Sequence, residues 1–207
     1  MVLPNVDAIA NTFSEKDLAK STGQNKKTMQ DGLYQWVVQG AKLRTIDKGK
    51  LEGSFEISIR AAVVGTEGTA VQGTTQFINC VLPYSNPERA GHAAPDWANG
   101  MSSKLCAVVD PQAHIVPRKN KATGNYELNG EVVDKTTTNA AYDRSRAATV
   151  SQLRKFLEEA SANEGNIPSL KDETFFAPLT TDEDSGYQNV SLFEASTEAV
   201  GTVIRDV

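Results

Sequence analysis

Soft metal ligands and reactive side chains are scarce in this chain: two cysteines and two histidines in 207 residues. Cys80 and Cys106 form no Cys-x-x-Cys pair and are too few for a disulfide framework. They read as small buried hydrophobes in a reducing compartment, with a single bridge between them as the alternative. His92 and His114 make no His-Glu-x-x-His pair, and neither lies at zinc spacing from a cysteine. There is no phosphate-cradling Gly-x-x-x-x-Gly-Lys loop, no Gly-x-Gly-x-x-Gly after a strand and no Gly-x-Ser-x-Gly elbow. A Cys–His dyad would need a reactive thiol, whereas both cysteines sit in apolar stretches. The acids of "DETFF" and "TDEDSG" have polar surroundings that offer no apolar pocket to raise a carboxylate pKa. Nor does "DEDSG" continue with the alternate ligands and distal Glu of a calcium loop. The expectation is a protein without catalytic residues, metal or cofactor.

Long hydrophobic runs are also missing. The longest, such as "LCAVV", fall far short of the roughly 18 residues a membrane helix needs. The N-terminal stretch "MVLPNVDAIANTFSEKDLAK" has neither the basic start nor the apolar core of a secretory signal. No membrane association and a cytoplasmic location are expected.

Charge is modest in total, at −5, but unevenly spread. Residues 1–120 carry 13 Lys and Arg against 11 Asp and Glu, whereas residues 121–207 carry 8 against 15. The acid excess lies from Glu164 onward, where nine acids meet only Lys171 and Arg205. Such a segment is either a solvated acidic region, or one that recruits partners or competes with an anionic ligand for a basic face.

What is present is β-structure. "GLYQWVVQGAKLR" alternates as a strand, with Leu33, Val37, Ala41 and Leu43 on one side and Tyr34, Trp36, Val38, Lys42 and Arg44 on the other. "TIDKGK" supplies a turn, and "LEGSFEISIRAAV" alternates with Phe55, Ile57, Ile59, Ala61 and Val63 inward. "GTEGTAVQG" is a glycine-punctuated turn before a third strand, "TTQFINCVLPY". A helix capped by Asp96 follows through "WANGMSSKLCAVV", then a short strand "AHIVP", a basic loop "RKNKATGNYE" and a further strand or hairpin "YELNGEVVDK". The strongest helical stripe, through Tyr142, Ala147, Val150, Leu153, Phe156, Leu157 and Ala160, is stopped by "EGNIPS". Five short strands with a helix after the third outline a five-stranded OB-fold-like barrel, mainly β with helices (α+β), carrying an appended helix and an acidic C-terminal region. The domains expected are a polar arm over 1–31, an OB-fold-like binding domain with its C-terminal helix over 32–164, and an acidic, partly disordered region over 165–207.

Single strands are held by stacking bases on aromatic rings and by Lys and Arg along the backbone. Tyr34 and Trp36, about 7 Å apart on one side of a strand, suit that role, as do Lys42, Arg44, Lys48 and Lys50 beyond them. Arg118, Lys119 and Lys121 with Tyr126 form a second basic-aromatic cluster, expected to border the same groove. The competing reading puts Tyr34 and Trp36 in the core and leaves the lysines as plain surface.

The run "GLYQWVVQGAKLRTIDKGKLEGSFEISI", followed by "INCVLPYSNPERAG" and "MSSKLCAVV", resembles the OB-fold single-stranded DNA-binding proteins encoded by bacteriophages. In those, Gly-x-Tyr opens a strand and a charged Lys-Gly turn closes it. An apolar alternating strand, an Asn-x-x-x-Pro-type segment and a helix come next. The match covers about four tenths of the chain. It implies sequence-independent protection of single-stranded DNA in phage replication or recombination, in the host cytoplasm. It also implies recruitment of replication or recombination proteins by the acidic region, with self-association left open. The chain departs from the pattern at its end, "VIRDV", since its densest acid-aromatic segments lie upstream. A β-rich virion or assembly protein is the alternative function.

Overall fold

The computed structural model describes residues 29–83 and 96–205. β1 (Gly32–Thr45), β2 (Phe55–Val63) and β3 (Gln76–Val81) form an antiparallel meander. Their alternation of Ile, Val, Phe and Ala with polar residues is what a sheet buried on one face requires. The turn after β1 is closed by Ile46 N–H donating to the Ser54 carbonyl and Gly53 N–H donating to the Ile46 carbonyl, each at 2.8 Å. β4 (Arg118–Lys119), β5 (Tyr126–Leu128) and β6 (Glu131–Val133) make a separate three-stranded sheet. Two more strands, β7 (Thr174–Thr181) and β8 (Gln188–Val190), return to the first sheet, whose order is β3-β2-β1-β7-β8. β3 and β8 approach one another and nearly close the five strands into a barrel. Helices α1 (Asp96–Val109) and α2 (Lys135–Ala162) lie between its third and fourth strands in sequence. The fold is an OB-fold-like α+β barrel.

The class agrees with expectation, but its fourth and fifth strands come from elsewhere. "AHIVP" forms no strand; a 3-10 turn occupies Gln112–His114. "YELNGEVVDK" makes the β5–β6 hairpin, outside the barrel. The barrel is completed from the region expected to be an acidic, partly disordered appendage: β7 pairs with β1 from Gly32↔Leu179 to Val37↔Thr174. The expected boundary at 164/165 therefore runs through one barrel. Asp31 reinforces the junction, its carboxylate accepting from Thr181 N–H at 2.9 Å and Thr181 Oγ1 at 2.6 Å, bonds that hold its pKa below the ordinary value. The expected helix at "SEKDLAKS" lies outside the described residues.

The second helix begins earlier than its apolar stripe, at Lys135, because Asp134 caps it: its carboxylate accepts from Thr137 N–H at 2.7 Å. The helix buries Thr138, Ala141, Ser145, Phe156 and Ala160, while Val150 and Leu157 of the expected stripe are exposed. Beyond its end, Gly165 has φ +87°, and a Cβ there would stand 3.2 Å from the Leu43 carbonyl. That glycine lets the chain meet β1, with Leu43 N–H donating to the Gly165 carbonyl at 2.8 Å.

β1 is not a regular strand. Val38 pairs with Ala61 but Gly40 with Arg60, so Gln39 is an extra residue and the strand bulges. One inserted residue exchanges the faces of everything beyond it. Before the bulge Tyr34, Trp36 and Val38 point into the barrel; after it Ala41 and Leu43 are the inward pair, and Lys42 and Arg44 point out. The two aromatics and the two cations are thus on opposite sides of the sheet, which corrects the single stacking face expected for them. Tyr34 and Trp36 are both 0% exposed and pack edge to face with ring centroids 5.9 Å apart. Their polar atoms are satisfied inside: Trp36 Nε1–H donates to the Ala177 carbonyl at 2.9 Å and the Tyr34 hydroxyl to the Gln30 carbonyl at 2.6 Å. Ile57 and Ile59 of β2, Phe175 and Leu179 of β7, Leu105 of α1 and Phe156 of α2 complete the core around them. Trp36→Ala is expected to lower stability by about 3–5 kcal/mol, read as a shift in the urea midpoint; a midpoint within experimental error of the parent's would remove Trp36 from the core.

Candidate nucleic-acid interface

The bulge leaves a definable outer face on β1–β2–β3. Cross-strand register sets three rows on it: Gly40–Arg60–Phe77, Lys42–Ser58–Asn79 and Arg44–Glu56–Val81. Neighbours in a row stand about 5 Å apart at Cβ. Arg44 is held in place, its guanidinium 2.8 Å from Glu56 and 3.3 Å from the Asn79 carbonyl oxygen. Lys42 and Arg60 are exposed. Phe77 is 69% exposed, an aromatic ring on the solvent side of a strand with an arginine directly opposite. The three cations and one carboxylate leave the face positive.

Phe77, Arg60 and Asn79 were not among the expected contact residues. The signal for them was present, since Gln76, Ile78 and Cys80 point inward and the alternation of "QFINC" therefore turns Phe77 and Asn79 out. A large aromatic on the polar side of a strand was the clue. Lys48 and Lys50 belong to the turn joining β1 to β2, just past the Arg44 row.

The other expected residues are elsewhere. Arg118 and Lys119 form β4, opposite Glu127 and Tyr126 of β5, and Lys121 is in the turn between them. This small sheet and α1 border a groove of about 1040 Å³ whose lining includes Lys104, His114, Arg118 and Lys119 but no residue of β1, β2 or β3. Tyr126, on β5, is exposed but does not line that groove. The structure does not gather the two basic clusters around one groove, as had been expected; each belongs to its own sheet.

A second depression lies on the outer face of β1 at the bulge, with a volume of about 660 Å³, between the 64–70 turn and the 171–174 segment. Arg60 lines it as well as facing Phe77 across the strands.

The nucleophile-type side chains are quiescent. Cys80 and Cys106 are free and buried, and burial pushes each thiol up to about 12, so both are protonated at neutral pH. His114 has Nδ1 3.0 Å from Ser145 Oγ, while Nε2 is buried with no partner among the described residues. Burial lowers its pKa and keeps the imidazole neutral. Among the described residues no three His, Cys, Asp or Glu side chains come together to hold a metal ion, and no helix is long and apolar enough to cross a membrane.

The fold class is therefore set by the barrel and its topology. In comparison with known proteins, the chain matches no family model, no characterised protein and no solved structure.

In the native protein at pH 8 neither thiol is expected to react with an aromatic disulfide reagent within minutes, and both are expected to react once urea unfolds the chain. Rapid release of a chromophore equivalent before unfolding would place a cysteine at the surface.

Proposed function

We propose that this protein binds single-stranded DNA without catalysis and with little regard to sequence, laying the strand over the outer face of β1–β2–β3. The observation that carries this is Phe77, an exposed ring in register with Arg60 and one row from Lys42. In OB-fold barrels the surface formed around the second and third strands is where oligonucleotides lie, with the loop joining the first two strands at its border. Here that loop carries Lys48 and Lys50. The resemblance of residues 30–110 to phage-encoded single-strand binders supports the same reading, in replication or recombination within a host cytoplasm. Replication or recombination proteins as partners of the acidic C-terminal residues belong to the same proposal, with their contact outside the strands: the 182–187 loop holds Asp182, Glu183 and Asp184 in exposed positions.

A structural role in a virion or its assembly is the second reading. Burial of Tyr34 and Trp36 and separation of the basic clusters favour it, because they remove the platform first expected. Phe77 tips the balance back: an exposed ring contributes nothing to a core and much to a stacked base.

A labelled thirty-nucleotide single strand and the matching duplex, titrated at low and moderate salt, separate the two. Strand binding is expected to exceed duplex binding and to fall linearly in log K with log salt. Phe77→Ala is expected to weaken it by about 1–3 kcal/mol, on the order of 5- to 150-fold, with an unchanged melting temperature. Absence of binding at low salt would leave the structural reading in its place.

A further inference from the structure

We infer that the depression beside the β1 bulge is a nucleobase pocket, taking one unstacked base of a single strand whose neighbouring base lies on Phe77. This rests on the strand-binding reading and adds a site to it. The pocket is built by backbone bonds on both flanks. On one side Val64 N–H donates to the Gln35 carbonyl at 2.8 Å, and Gly65 N–H to the Thr69 carbonyl at 2.9 Å, which holds the 64–70 turn upright beside β1. On the other, Val38 N–H donates to the Glu173 carbonyl and Asp172 N–H to the Val38 carbonyl, both at 2.9 Å, with Asp172 in the left-handed region at φ +68°. A site whose walls are already bonded in place loses little entropy on filling.

Its lining suits a base, and its volume leaves room for the attached sugar as well. About 660 Å³ lies within the range of roughly 300–1,000 Å³ that small-ligand pockets occupy. Val37, Val64 and Ala70 give apolar walls for the faces of a flat ring. Gln35 and Gln39 bring amides that both donate and accept, so they can meet the edge of any base. Thr75 Oγ1 contacts Gln39 Oε1 at 3.4 Å, while the Gln35 side-chain amide has no hydrogen-bond partner among the described residues. Bases in single strands are recognised in this manner, splayed out and bonded along their edges. Arg60 is the link: it lines the pocket and sits opposite Phe77, where the phosphate between a stacked base and an inserted one would fall. Lys171 supplies a second cation to the lining for the next phosphate.

The test uses the full chain, isotope-labelled, titrated with pentathymidylate at low salt and followed by NMR at the side-chain amides of Gln35 and Gln39 and at the ring of Phe77. All three are expected to shift together in the parent protein. Ala70→Trp, at an exposed position of the turn, fills the pocket; it is expected to weaken binding on the order of tenfold, to abolish the glutamine shifts and to keep the Phe77 shift. Gln35→Leu serves the same purpose without adding bulk, and is expected to weaken binding while leaving the Phe77 shift. Movement of Phe77 with no response from either glutamine in the parent would overturn the pocket and leave strand binding standing. Silence at all three, with no change elsewhere in the spectrum, would overturn strand binding and the pocket together.

Discussion

A single extra residue in β1 decides where the chemistry of this protein faces. Gln39 has no counterpart on β2, and the register passes from Val38↔Ala61 to Gly40↔Arg60 around it. Without the bulge, the same residues in regular register would carry the inward series Tyr34, Trp36, Val38 on through Gly40, Lys42 and Arg44, and the barrel would have to bury two cations. With it, the apolar series resumes at Ala41 and Leu43, and both cations go to solvent. Burying an unpaired charge costs several kcal/mol, far more than the local disruption of a ladder by one residue, so the bulge is the arrangement this sequence allows. It also bends the longest strand of the barrel. The depression at the bulge follows from the same departure from regular pairing.

The second determinant is the pairing of β1 with β7. Trp36 is anchored by it twice, through strand register opposite Phe175 and through its indole N–H on the Ala177 carbonyl. Tyr34, Trp36 and Phe175 together fill the barrel interior from two adjoining strands. The outer face is therefore displayed on a rigid support, and the Arg44–Glu56–Asn79 contacts extend that rigidity to one of its cations. Lys42 and Arg60 have no such side-chain contacts among the described residues, and they are the cations that the proposed function assigns to phosphates rather than bases.

How legible this was in the chain depended on the range of the interaction. The meander, its turns and the helix after the third strand were readable, because alternation, glycine turns and capping are local signals. The inward faces of β2 and β3 were readable for the same reason. The face of Tyr34 and Trp36 was not, since period-two counting runs through Lys42 unless the bulge is known, and no local feature of "VVQGAK" other than the glycine marks it. Nor was β7: "TFFAPLTT" carries a proline, lies among acids and has its partner far upstream, so composition argued for an appendage. The proline is tolerated at Pro178, opposite Leu33, near the end of β1 where that strand is no longer paired to β2. The two basic clusters were visible as clusters, but which sheet each would join is a matter of topology that spacing does not encode.

The barrel's closing strand is made long after the strand it joins. Gly32 meets Leu179 and Val37 meets Thr174, so β1 lacks its second neighbour until the chain has been synthesised through β7. During that interval the meander presents an open edge beside two large aromatics, the kind of surface that invites pairing with another chain. Contacts so distant in sequence form slowly, because a long loop must be closed before any of them is rewarded. The acidic residues concentrated from Glu164 onward reach the unfinished barrel together with its missing strand. Completion of the barrel thus awaits β7 and β8, and the negative charge that looked like a detachable tail travels with the piece that seals the fold.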